Sequence, residues 1–144
     1  MTNHDHSLET DMTPPIILNF VAGVRDDLKP SVLRLLERST DTREGLLTGL
    51  DGYTRRIDAA AHRRHYVDVN LAEAILRSCR HLLESDWPDL DEDQRRLACL
   101  ACAYYLEADD AEGDLESVFG FDDDALVLNG VLDAIGRPEL KVRV

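Results

Sequence analysis

Carboxylates are concentrated in one segment of this 144-residue chain, Ala103–Ala125. The segment carries nine Asp and Glu side chains on an apolar frame and contains no Lys or Arg. Oxygen-rich clusters bind hard cations such as Ca²⁺ and Mg²⁺ when the fold brings the oxygens together. Exposed carboxylates can instead complement a basic protein surface. The segment therefore predicts either a cation site or an acidic binding surface.

Four carboxylates of this segment would converge if the chain folds back between two helix ends. These candidate metal ligands are Asp110, Asp114, Asp123 and Asp124. The segment is not an EF-hand loop, because placing Gly113 at the sixth position puts Ala108 and Phe119 at the first and twelfth positions, where ligands are required. The prediction is thus a divalent-cation site, or a metal-dependent hydrolase site, without a known loop motif.

A structural role explains the same carboxylates without a ligand. Asp122, Asp123 and Asp124 stand where a helix N-terminus favours negative charge and side-chain acceptors. Asp110 and Asp114 can accept backbone amides in turns. The sequence leaves the metal site and the structural role open as alternatives.

The other carboxylates of the segment predict an exposed rim that contacts a protein partner. The candidate partner-binding residues are Glu107, Asp109, Glu112 and Glu116. No phosphate-binding loop, dinucleotide fingerprint or nucleophile elbow occurs in the sequence. We therefore expect a non-enzymatic module with no catalytic residues and no cofactor, apart from the candidate divalent cation.

The same segment resembles the characteristic segment of the YkvA-like family of small helical bacterial proteins. The matching positions are Asp110, Asp114, Gly120, Asp123 and Asp124. The positions that depart from the family, where it has prolines, are Ala108, Gly113 and Ser117. The resemblance covers roughly the last third of the chain. It implies a helical fold and a related loop, and no activity, because the family has none established.

Histidine and cysteine pairs give weaker metal or redox candidates. His62 and His65 lie three residues apart, a spacing that can bind zinc if a third ligand is supplied, but the sequence supplies no recognisable third ligand and favours a solvated helix end. Cys99 and Cys102 have the spacing of redox and zinc sites, yet they lie in an apolar helical run without a second pair. We expect these cysteines, with Cys79, to be buried thiols.

The charge balance limits the class of partner. Acidic residues outnumber basic ones by 29 to 16, which gives a formal net charge of −13. Residues 86–144 hold 16 of the acidic residues and only 5 of the basic ones. Such a surface repels nucleic acid phosphates and anionic lipids. We expect a protein partner with a basic surface, and neither nucleic acid nor membrane as a direct partner.

The start of the chain predicts a cytoplasmic location. Residues 1–11 lack the basic start and apolar core of a signal peptide. The longest apolar run, near residues 14–24, is shorter than the roughly 20 residues that a membrane-spanning helix needs.

Apolar residues recur at steps of three and four, which predicts an all-α fold, a compact bundle of five or six helices. We expect one helical domain over residues 13–138, containing an acidic loop at 107–124. A flexible N-terminal tail, 1–12, precedes the domain, and a short C-terminal tail, 139–144, follows it. Capping boxes are predicted where Asn70 precedes Glu73 and where Asp91 precedes Gln94, because each pair can satisfy two end amides.

These observations favour an acidic helical interaction module that regulates or inhibits a basic protein. The divalent-cation protein is the alternative from another class. DNA mimicry and salt adaptation are two further explanations of the acidity. Self-association stays open, because Arg55, Arg56, Arg63 and Arg64 could pair with the acidic face of a second copy.

Overall fold

Six α-helices account for most of the chain in a computed structural model that describes residues 13–37, 42–63, 69–112 and 122–143. In chain order they are α1 (Pro15–Gly23), α2 (Lys29–Glu37), α3 (Arg43–Arg63), α4 (Val69–Glu84), α5 (Glu92–Glu112) and α6 (Asp122–Ala134). Short 3₁₀ turns lie at Trp87–Asp89 and Pro138–Leu140. Those described ranges contain no strand, so the prediction of an all-α bundle is confirmed.

Local signals in the sequence fix several helix ends. Pro15 occupies the first turn of α1, where its fixed φ is tolerated and its missing amide hydrogen costs nothing. Before α5, the backbone N–H of Gln94 donates to Asp91 Oδ1 at 2.8 Å, and the backbone N–H of Asp91 donates to Gln94 Oε1 at 2.9 Å. This reciprocal pair is the predicted capping box. Gly136, with φ of +76°, turns the chain after α6.

The core is built around α5, which contacts each of the other five helices. Tyr105 of α5 is fully buried and its hydroxyl donates to the carbonyl of Ala72 in α4 at 2.9 Å. Its ring lies 4.7 Å from the ring of Tyr53 in α3, in a tilted arrangement. Buried polar hydroxyls need a partner, and this bond lets α5 carry a tyrosine at the centre of the bundle.

Three boundaries differ from the sequence predictions. Helix α5 does not give way to a loop at Glu107 but continues through Glu112, and α6 begins at Asp122. Helix α4 begins at Val69, so Asn70 lies inside the first turn and is not the capping residue. Residues 139–143, predicted to be a tail, are docked, with Leu140 and Val142 packed against the core.

The docked end, residues 138–143, is called the C-terminal segment below. Asn129 of α6 donates through Nδ2 to the Val142 carbonyl at 2.8 Å, and the Val142 amide donates to Asn129 Oδ1 at 2.9 Å. Ser78 of α4 donates to the Leu140 carbonyl at 2.7 Å. The segment is therefore fixed to both α4 and α6.

Candidate functional site

The first turn of α6 contains the described part of the predicted acidic site. Asp124 is 2 % exposed and faces the interior, whereas Asp123 is half-exposed. Successive residues on an α-helix point about 100° apart, so these neighbours do not face one common ligand position. Arg25, from the turn after α1, lies 3.2 Å from Asp123 Oδ1. The structure therefore places Asp123 in an ion pair and Asp124 in the core.

The other predicted site residues fall outside what the structure describes. Glu107, Asp109, Asp110 and Glu112 lie on the backbone of α5, but their side chains are outside the described part. Asp114 and Glu116 lie in 113–121, which is also outside it. Both site predictions therefore stay predictions for these six residues.

The described residues contain no group of three or more His, Cys, Asp or Glu side chains that could hold a metal ion. His65 and the side chain of His62 are outside them. Cys79 and Cys102 are buried free thiols, as predicted, whereas Cys99 is only partly buried. Neighbouring Cys79 and burial raise the pKa of the Cys102 thiol well above its usual value, so this thiol stays protonated and unreactive near neutral pH.

Arg25 holds two carboxylates at one end of α6. Its Nε and Nη2 donate to the two oxygens of Asp27, each at 2.8 Å, and Nη2 also donates to Asp123. The hydrogen bonds from Arg25 lower the pKa of Asp27, and the hydrogen bond and charge of Asp27 raise the pKa of Arg25. Two carboxylates share one guanidinium, so this end carries net negative charge.

A groove of about 480 Å³ runs between α1 and α6, beginning beside Arg25. Its α6 wall extends from Leu126 to Ala134, eight residues along the helix, or about 12 Å at the usual helical rise. Apolar side chains dominate both walls, including Phe20 and Leu28 on the α1 side. Leu126 is 39 % exposed and is the most exposed large apolar side chain among the described residues. A single exposed leucine is common on protein surfaces, so the apolar walls of the groove are what make it a candidate docking surface.

Two glycines shape this groove. At Gly130 of α6, a Cβ atom would lie 3.3 Å from the ring of Phe20, so the missing side chain lets α1 pack closely against α6. At Gly23, the last residue of α1, a Cβ atom would meet nothing within 4 Å. The Phe20–Gly130 contact therefore closes the floor of the groove, and the space beside Gly23 is open.

Sequence reasoning did not find the groove. Its walls come from two helices about 100 residues apart, and only the exposure of Leu126 distinguishes it from an ordinary core stripe. The sequence did place Asp122–Asp124 at the start of α6. It could not show that Asp124 is buried or that Arg25 reaches Asp123.

Comparison of the chain with protein-family models, with curated proteins and with solved structures gives no match. The resemblance to the YkvA-like family stays a prediction from the sequence. No helix in the described part of the chain combines the length and apolarity that crossing a membrane requires.

Proposed function

We propose that the protein is a non-enzymatic interaction module that binds a basic amphipathic helix of a partner protein in the groove between α1 and α6. The observation that carries the proposal is the apolar groove beside the first turn of α6. Asp122 and Asp123, both partly exposed, lie one helical turn before Leu126. Apolar anchors and carboxylates therefore lie next to each other on one surface.

The dimensions of the groove fit one face of a partner helix. An α-helix that lies in a groove inserts side chains from positions such as i, i+3, i+4 and i+7. The α6 wall, about 12 Å long, matches the axial length of roughly two turns. Apolar anchors of the partner would contact Phe20, Leu28 and Leu126, and transfer of their surface from water would supply most of the affinity.

The charges beside the groove favour a partner with positive charge. Asp27 and Asp123 share Arg25, which leaves negative charge at this end of the groove. The C-terminal part of the chain, 86–144, adds a large acidic excess. Basic side chains that flank the anchors would be steered toward this end, and acidic partners would be repelled. The predicted rim residues Glu107, Asp109, Glu112 and Glu116 extend this surface in the proposal.

The test uses a fluorescently labelled designed peptide, with leucines on one helical face and lysines and arginines on its flanks. Gly23→Leu adds an apolar side chain to the open part of the groove, where a Cβ atom meets nothing within 4 Å, and replaces an intrinsically poor helix former. We expect this variant to lose affinity at least about tenfold by fluorescence anisotropy. Gly52→Leu on α3 is the matched control, because a Cβ there meets only the end of Arg55 at 4.0 Å.

Equal peptide affinity in the two leucine variants would exclude the groove as the binding surface. Binding of a glutamate-flanked peptide as tightly as the basic one would exclude the proposed charge selection. Circular dichroism of both variants confirms that a loss of binding is not a loss of fold.

The divalent-cation alternative is tested separately by calorimetric titration of the chelator-treated protein with Ca²⁺, Mg²⁺, Mn²⁺ and Zn²⁺. Saturable binding that is lost in Asp110→Asn and Asp114→Asn would favour a cation site. No observation among the described residues favours this alternative over the interaction module.

A further inference from the structure

A second cleft, of about 660 Å³, lies between α4 and the C-terminal segment. Its volume is in the range of small-molecule sites, roughly 300 to 1,000 Å³. The α4 wall carries Asn70, Ala74, Arg77 and His81, which repeat at helical spacing along one face. The cleft shares no lining residue with the groove between α1 and α6.

Cations predominate in this cleft although the whole chain has a net charge of −13. Arg77, Lys141 and Arg143 line it together with His81, and Glu139 is its only acidic lining residue within the described part of the chain. A local excess of positive charge attracts anions even on an acidic protein.

Two of these cations are available to a ligand. Lys141 is paired with Asp133 at 3.1 Å, and His81 lies 3.5 Å from Asp86. Arg77 and Arg143 form no ion pair or hydrogen bond within the ranges that the structure describes. Arginine binds carboxylate and phosphate groups through two parallel N–H donors, so an anion between these side chains would satisfy both.

Part of the lining of the cleft is apolar, and the cleft is fixed in place. Leu71, Leu140 and Val142 line it and also pack against the core. The bonds of Ser78 to Leu140, and of Asn129 to Val142, hold the C-terminal segment against α4 and α6. A site that is already formed avoids the entropic cost of ordering a loop when the ligand binds.

We propose that this cleft binds an organic anion with an apolar body, whose carboxylate or phosphate group lies between Arg77 and Arg143. The apolar body would contact Leu71, Leu140 and Val142. This proposal does not depend on the function proposed for the groove, because the two surfaces differ in lining residues and in charge.

The experiment is isothermal titration of the full chain, at about 0.15 M ionic strength, where weak surface charge effects are largely screened. The probes are decanoate, decyl phosphate, inorganic phosphate and the neutral decyl maltoside. We expect decanoate or decyl phosphate to bind saturably, and the tighter of the two identifies the head group. Arg77→Gln and Arg143→Gln should each lower that affinity about tenfold.

Arg55→Gln on α3 is the matched control, because Arg55 is also exposed and also forms no ion pair or hydrogen bond within the described residues. An equal loss of affinity in Arg55→Gln would overturn the proposal in favour of general charge attraction. Equally tight binding of inorganic phosphate would also overturn the proposal, because it would show that the apolar body is not recognised. Equally tight binding of decyl maltoside would overturn it too, because it would show that the anionic head group is not recognised. Failure of both decyl anions to bind would exclude the site.

Discussion

The groove between α1 and α6 and the cleft between α4 and the C-terminal segment differ in charge although α6 supports both. One face of α6, from Leu126 to Ala134, forms a wall of the groove. Asn129 and Asp133 of the same helix hold the C-terminal segment that forms the cleft. The groove begins at carboxylates that share Arg25, whereas the cleft is lined by arginines without described partners.

This difference shows why net charge is a poor guide to what a surface binds. A charge of −13 predicts repulsion of anions averaged over the molecule. At contact distance, the nearest few charges decide, because exposed charges are screened over about 8 Å at physiological ionic strength. Two surfaces of opposite preference can therefore coexist on one small bundle.

The largest effect is expected from a substitution in α6 that weakens both surfaces together. Leu132 is fully buried in the core, so Leu132→Ala should lower the free energy of unfolding by about 2 to 5 kcal/mol. The matched Leu126→Ala removes the same atoms from an exposed position and should cost far less. Urea denaturation of both variants measures the difference. Equal losses would mean that α6 does not pack as described.

A substitution with a smaller effect on stability should distinguish binding in the cleft from binding in the groove. Asn129→Ala removes both hydrogen bonds to Val142 and should lower stability by about 1 to 3 kcal/mol. Amide exchange at Val142 should become faster, and affinity for the decyl anion should fall while peptide binding in the groove persists. Asn19→Ala on α1 is a control for stability alone, since Asn19 is exposed but lines the groove. A parallel loss of peptide affinity in Asn129→Ala would show that the surfaces are coupled through α6.

A third substitution should leave both surfaces unchanged and so provide a baseline. Asp91→Ala breaks the capping box before α5 and should cost about 1 kcal/mol. Asp89→Ala, in the preceding 3₁₀ turn, removes an exposed carboxylate that forms no described hydrogen bond. Thermal unfolding compares the two, and both ligand affinities should match those of the unsubstituted protein. Lost binding in Asp91→Ala would mean that affinity reports global stability.

The sequence predicted the helices better than the surfaces, for local reasons. Proline, glycine and capping signals act on neighbouring residues, so the starts of α1 and α5 and the turn after α6 could be inferred. The end of α5 was predicted too early. Ala108 and Ala111 are strong helix formers, and without the family's prolines nothing stops the helix before Gly113. The loop prediction rests on the resemblance to a family that has prolines where this chain has Ala108, Gly113 and Ser117.

The groove and the cleft depend on long-range contacts that no local sequence pattern predicts. Asn129 pairs with the backbone of Val142, a pairing that any residue except proline could supply at position 142. The groove depends on Gly130 meeting Phe20 from a helix far away in the sequence. Such pairings are set by tertiary packing, which periodicity and composition do not encode at a single position.

The smallest effect is expected at the acidic end of the groove, from Asp27→Asn. Because Arg25 lowers the folded-state pKa of Asp27, the pair stabilises the fold above the unfolded-state value of 3.8 and loses this effect as pH falls through the lower folded-state value. The stability difference between Asp27→Asn and the unsubstituted protein should thus be present at pH 7 and vanish in acid. Both groups are exposed, so the difference should be small and should shrink in high salt.

The same variant sharpens the comparison through binding more than through stability. Without the Asp27 carboxylate, Arg25 neutralises Asp123 alone, and the groove end loses its net negative charge. Affinity for the basic peptide should therefore fall at low salt, while affinity of the cleft for the decyl anion stays constant. Anisotropy and calorimetry on one protein sample measure both. Unchanged peptide affinity would mean that Asp27 does not contribute to binding. The affinity for the peptide would then come from the apolar walls of the groove, and any selection for basic peptides would come from the predicted rim carboxylates on α5.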